Sequence, residues 1–138
     1  MATLLATLKE GLQYKGGAGH WNYIFHRIAG LGTLLFLTIH ILDTATVYFF
    51  PSLYNDAVGI YRLPPFLLGE IILVLCIIFH GVNGLKIILF DYVPSLWTIE
   101  NERKSLPVVY GLTLVLWAPA AYIMGGHLVE NTKLWIGG

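Results

Sequence analysis

Hydrophobic positions in this chain gather into three long runs, separated by stretches rich in polar residues, glycine and proline. Runs of this kind predict membrane-spanning helices over about 23–50, 66–90 and 106–124, since about 20 apolar residues cross a hydrocarbon layer of roughly 30 Å. Pro51 stops the first, and Pro64-Pro65 opens the second, because proline is accepted in a first helical turn. Between them, 52–65 reads as a polar loop holding Tyr54, Asn55, Asp56, Tyr61 and Arg62. A second loop is expected over 92–105, with Pro94, Trp97, Glu100, Glu102, Arg103 and Lys104. Pro119 marks a kink in the third helix, and Gly125-Gly126 its end, leaving His127, Glu130 and Lys133 in an exposed tail. Ahead of the first run, the glycines of 15–20 predict a break with His20 solvated. Upstream of it, Leu4, Leu5, Leu8 and Leu12 share one helical face, which predicts a short amphipathic helix on the membrane surface.

Composition agrees with this pattern. Of the 138 residues, 57% are hydrophobic and only 12% charged, which indicates a single-domain, all-α membrane protein over 1–138. A formal net charge of zero gives no case for nucleic-acid binding. The lone Cys76 lies inside an apolar run, so no internal disulfide and no cysteine-based metal site is expected. No cleavable signal is expected either, because Met1 to Leu8 has no basic flank. Lys9, Lys15, Arg27, Lys86, Arg103 and Lys104 fall on one side and Arg62 and Lys133 on the other, which predicts a cytoplasmic N-terminus in the cell membrane.

The polar residues inside the runs carry the chemistry. His80 sits deep in the second run, and an ionisable group in hydrocarbon usually faces a protein interior, a pathway or a cofactor. His40 is a second intramembrane histidine, with Asp43 three residues on and roughly on the same face. The uncharged core of the first run is only Ile28 to Leu42, so His26-Arg27 lies at or within the boundary and calls for an anionic or polar partner. Gly81 and Gly84 flank the His80 turn, where glycine lets a flat ring approach, and Lys86 is long enough to snorkel toward Asp91. Two histidines in separate helices favour haem ligation, because neutral imidazole is a standard axial ligand of haem iron. A proton relay through Asp43, His40 and Glu70 is the alternative from spacing. No hydrolase triad, zinc-peptidase motif, phosphate loop or dinucleotide fingerprint is present.

Two motifs carry a family resemblance. His26-Arg27-Ile28-Ala29-Gly30 is similar to the H-R-[IV]-[ST]-G entry of the first helix in the cytochrome b anchor subunits of succinate dehydrogenase, respiratory complex II. His80-x3-Gly84-Leu85-Lys86-x4-Asp91 resembles the H-x3-G-[IL]-R-x4-D of the same family, with Lys for Arg. Their order, the three spans and the 53-residue gap from Arg27 to His80 also fit, and the likeness covers 21–92. The resemblance implies haem b with His80 as an axial ligand, and His26 and Arg27 near the haem propionates. It implies a quinone pocket drawing on Trp21, Asn22, Tyr23, Arg27 and Asp91. Tyr23 stands where the family has a quinone-binding Ser. The 36–44 segment resembles actinobacterial-type anchors, and His40 resembles the distal ligand of two-haem members. One haem is therefore expected and a second distal haem is allowed. The quinone is expected as menaquinone, although these residues do not separate it from ubiquinone.

The resemblance further implies half of a helical bundle, completed by a second small membrane-anchor subunit that supplies further haem ligands. Flavoprotein and iron–sulfur subunits are the expected soluble partners. The chain itself is expected to do no succinate chemistry and to pass electrons from the iron–sulfur subunit to a membrane quinone. Two other functions fit the residues: the haem b anchor of another membrane oxidoreductase, such as a hydrogenase or formate dehydrogenase, and a small proton-relay or transport subunit. A haem-free structural anchor is the plainest.

Overall fold

A computed structural model describes Thr3, Ala6, Glu10 and residues 17–137. Over these residues the chain is helical throughout: α1 (Gly17–Phe49), α2 (Pro51–Tyr61), α3 (Pro64–Tyr92) and α4 (Ile99–Gly137), with a single 3-10 turn at Pro94–Leu96. Three of these helices are long and apolar enough to cross a membrane. The surface helix expected over 4–12 lies outside the described residues.

Helix α3 is the centre. It packs against α1 on one side and α4 on the other, while α2 folds back on α1 at the Pro51 end. The core between the long helices is thin: Ala29, Phe79 and Val109, with Cys76, Val82 and Tyr110 against them. Phe79 and Tyr110 stack with ring centroids 5.8 Å apart. Most large apolar side chains, among them Leu34, Leu42, Ile72, Leu89 and Val115, remain exposed. In water that would be untenable, but lipid solvates such a surface, so helix association falls to close packing and hydrogen bonds. Close packing is visible along α1. A Cβ on Gly30 would stand 2.9 Å from His80 Cε1, and one on Gly32 would stand 3.1 Å from Cys76 Sγ. Ala29, Gly30 and Gly32 form the small-residue face that lets α3 approach.

Polar pairs fix the rest. Lys86 Nζ meets Glu102 Oε1 at 2.9 Å, joining α3 to α4, with the Lys86 side chain only 8% exposed. Lys86 therefore turns inward to a carboxylate instead of snorkelling toward Asp91. Trp117 Nε1 donates to the Ile71 carbonyl at 3.2 Å, tying the same two helices near their other end.

The helix bounds depart from expectation in four places. The glycine break is confined to its start: Gly17 has φ +72°, and from there α1 is helical, so His20 is part of a helix. The expected loop 52–65 is mostly helix α2, opened by Pro51 at its first turn and held to α1 by the Tyr61 hydroxyl, which donates to Asp43. Helix α4 begins at Ile99, where Asn101 N donates to Thr98 Oγ1 at 3.1 Å, a side-chain cap that a loop reading overlooks. It also continues through Gly125-Gly126 to Gly137, with neither glycine in the left-handed conformation that ends helices. At 1.5 Å per residue its 39 residues extend about 58 Å, well beyond the hydrocarbon layer. His127 is exposed, on this overhanging part of the helix.

Candidate functional site

Two clusters of chemistry emerge, one at the crossing of α1 and α3 and one at the Pro51 end. At the crossing, the rings of His26 and His80 lie parallel, 4.2 Å between centroids with 6° between planes. His80 Nδ1 stands 3.2 Å from the backbone carbonyl of His26. A carbonyl only accepts, so Nδ1 carries the proton and the lone pair is left on Nε2. Gly30 makes this possible, since a Cβ there would fall 3.2 Å from Nδ1 as well as against Cε1. The glycines that sequence reasoning singled out beside His80 act differently: Gly81 has nothing within 4 Å of its missing Cβ, and Gly84 faces His26 Cε1 at 3.9 Å. The ring's seat is on the facing helix.

A histidine with Nδ1–H held by a carbonyl and Nε2 open is the form that metal-bound imidazole takes, because the outer hydrogen bond fixes tautomer and orientation. His80 therefore fits the haem ligand that the motifs imply. Among the described residues no three His, Cys, Asp or Glu side chains converge as a metal cluster. His26 Nδ1 is buried with no hydrogen-bond partner among the described residues, which leaves a donor or acceptor open to a group from outside the chain.

One turn away lies a pair that sequence reasoning missed. Asn22 Nδ2 donates to Asn83 Oδ1 at 2.9 Å, and the two residues are only 3% and 1% exposed. Asn22, expected at a quinone, is thus committed to the α1–α3 contact. The signal for Asn83 was present: an amide in the middle of an apolar run needs a partner.

The other expected quinone residues do not form one group. Arg27 Nη1 donates to the Tyr23 hydroxyl at 2.7 Å, and its guanidinium lies 5.5 Å from the Tyr23 ring centroid. Both are exposed, at i and i+4 on one face of α1. Trp21 is exposed beside Phe25, 6.0 Å between centroids. Asp91 is exposed at the end of α3 and accepts from Trp97 Nε1 at 3.2 Å. A cavity of about 620 Å³ opens at this end of the bundle between Gly17, Gly19, Trp97, Glu102, Arg103 and Leu106.

The second cluster surrounds a cavity of about 520 Å³ at the Pro51 end, whose polar wall is His40, Asp43, Tyr54, Tyr61 and Glu70. His40 stacks on Phe36, 5.6 Å between centroids. No hydrogen bond orients its ring among the described residues, in contrast to His80. The Tyr61 phenol, hydrogen-bonded to the Asp43 carboxylate, is pushed up to about 12, first by that bond and then by burial.

The sequence compares with known proteins in the same sense. Residues 9–120 match the family model described as succinate dehydrogenase/fumarate reductase transmembrane subunit. Over 140 aligned residues the chain is 32% identical to succinate dehydrogenase 2 membrane subunit SdhC of Mycobacterium tuberculosis, with 96% of this chain and all of that protein covered. On a match of this extent, together with three apolar helices, this multi-pass membrane protein belongs to the succinate dehydrogenase/fumarate reductase transmembrane subunit family.

Proposed function

We propose that this subunit anchors a succinate:quinone oxidoreductase in the cell membrane, holds haem b through His80, and helps pass electrons from the iron–sulfur subunit to a membrane quinone. The observation that carries the reading is the His80 imidazole, seated against Gly30 with Nδ1 on the His26 carbonyl. Haem b supplies a one-electron carrier inside the bilayer. His80 Nε2 would hold its iron from this chain, with a second small anchor subunit supplying a further ligand. The open Nδ1 of His26 and the guanidinium of Arg27 serve its propionates.

Arg27 and Tyr23 form the donor end of the quinone site. A quinone carbonyl gains negative charge as it is reduced, and a positioned guanidinium stabilises that charge more than it stabilises the neutral ring. The Tyr23 hydroxyl accepts from Arg27, so its own proton remains free to donate to a carbonyl oxygen. Trp21 and Asp91 border the same membrane face. The N-terminus lies in the cytoplasm, where the flavoprotein and iron–sulfur subunits dock on this end of the bundle. Menaquinone is the expected acceptor.

The Pro51-end cavity favours a second role for His40. A distal haem ligated there and proton exchange through Asp43, His40 and Glu70 both use that wall, and the haem-to-flavin ratio separates them. The test of the main reading is the reduced-minus-oxidised spectrum of the purified complex. A b-type band is expected in the wild type and its loss in an assembled His80→Ala complex. A wild-type complex that shows no b-type band overturns the reading.

A further inference from the structure

We propose that Asn83, acting through Asn22, is a positioning residue for His80: the buried amide pair sets the register of α1 on α3 in which the His80 imidazole meets the His26 carbonyl. The proposal rests on haem ligation by His80 as read above.

The acceptor that holds His80 belongs to the backbone. No side chain of its own can tune it, so its position depends only on where α1 sits against α3. Asn83 follows His80 by three residues and Asn22 precedes His26 by four. In an antiparallel pair those offsets bring the amide contact to one level and the imidazole contact to the next, about one turn apart along the axes. Close packing at Gly30 and Gly32 brings the two helices together, and the amide pair adds a directional side-chain bond between them. A one-residue slip moves α1 by about 1.5 Å and turns it by about 100°, which parts the amides and leaves the Asn22 Nδ2 donor and the Asn83 Oδ1 acceptor unpaired in a medium without water. Buried asparagine pairs select helix register for this reason. Asn83 is only 1% exposed, the most fully buried large side chain among the described residues.

The consequence for the iron follows from the Nδ1 bond. A strong bond from Nδ1–H to a carbonyl makes Nε2 a better donor, which favours the ferric state and lowers the potential. Loosening the register weakens it and moves the potential up.

The test uses the purified complex in lipid nanodiscs. Asn83→Ala and Asn22→Ala each raise the haem midpoint potential and shift the low-spin ferric EPR signal. The double variant shifts no further than the larger single change, because both remove one bond. Trp117→Phe, which removes the indole bond to the Ile71 carbonyl between α3 and α4, lowers thermal stability and leaves the potential in place. Should Asn83→Ala not assemble, Asn22→Ala decides, since it removes the same bond from the other side. A wild-type complex without haem overturns the parent reading. A haem-bearing wild type whose assembled Asn variants keep its potential and EPR signal overturns this proposal alone, as do single effects that simply add.

Discussion

Exchanging Gly30 for alanine tests the seat of His80 most sharply. The new methyl carbon would stand 2.9 Å from His80 Cε1 and 3.2 Å from Nδ1. Ordinary carbon–carbon contact begins near 3.5 Å, so the ring must retreat by more than half an ångström. It has little freedom, because His26 stacks 4.2 Å away. Overpacking of this kind costs about 1–3 kcal/mol. If the ring yields, the Nδ1 contact at 3.2 Å lengthens past hydrogen-bonding range. Expressed as haem affinity, 1–3 kcal/mol is a loss of roughly five- to 150-fold. Gly81→Ala is the paired change, on the turn beside His80 itself. Nothing lies within 4 Å of its Cβ position, and alanine favours the helix by about 0.5–1 kcal/mol. Pyridine haemochrome content per flavin, with thermal denaturation of the complex, reads both variants. Gly30→Ala is expected to lose haem or release it at lower temperature, and Gly81→Ala to retain it. The opposite ranking would place the ring's seat on α3 and refute the argument.

Other outcomes follow from the same geometry. Lys86→Met leaves the Glu102 carboxylate without its cation, at a cost of about 3 kcal/mol, the low end for buried pairs because Glu102 stays 25% exposed. Lys86→Met with Glu102→Leu recovers most of the lost thermal stability. Gly32→Ala crowds Cys76 Sγ, 3.1 Å from the added carbon, and lowers stability by about 1–2 kcal/mol. Cys76→Ala restores it in a double-mutant cycle, and additive effects would contradict the contact. Tyr61 has its phenol raised to about 12 from an ordinary 10, so its docking of α2 on Asp43 is intact below pH 10 and lost as pH climbs toward 12. Spectrophotometric titration should show a late tyrosine step that Tyr61→Phe removes.

Hydropathy made the three spans legible because lipid demands long apolar helices and little else. Their ends were not legible for the same reason. Gly125-Gly126 resembles a stop by composition, yet neither glycine takes the left-handed conformation that ends a helix, and α4 runs on. Helix α2 was hidden because Asn55, Asp56 and Gly59 look like loop residues, while its place depends on a tertiary contact from Tyr61 to Asp43. His80, His26 and His40 stood out as costly groups in apolar runs. What His26 does was not visible, since its backbone carbonyl is the atom that meets His80. Gly30 sat within the first motif, but its role appears only when the facing helix is in place. A scan for small residues spaced along one face, here Ala29, Gly30 and Gly32, would have pointed to it.

The most direct measurement is a reduced-minus-oxidised difference spectrum of the purified complex and of its His80→Ala form, with flavin and iron–sulfur content confirming assembly. The account predicts a b-type band in the first and none from this ligand in the second. A band that survives His80→Ala unchanged, or a wild-type complex that has none, would contradict it.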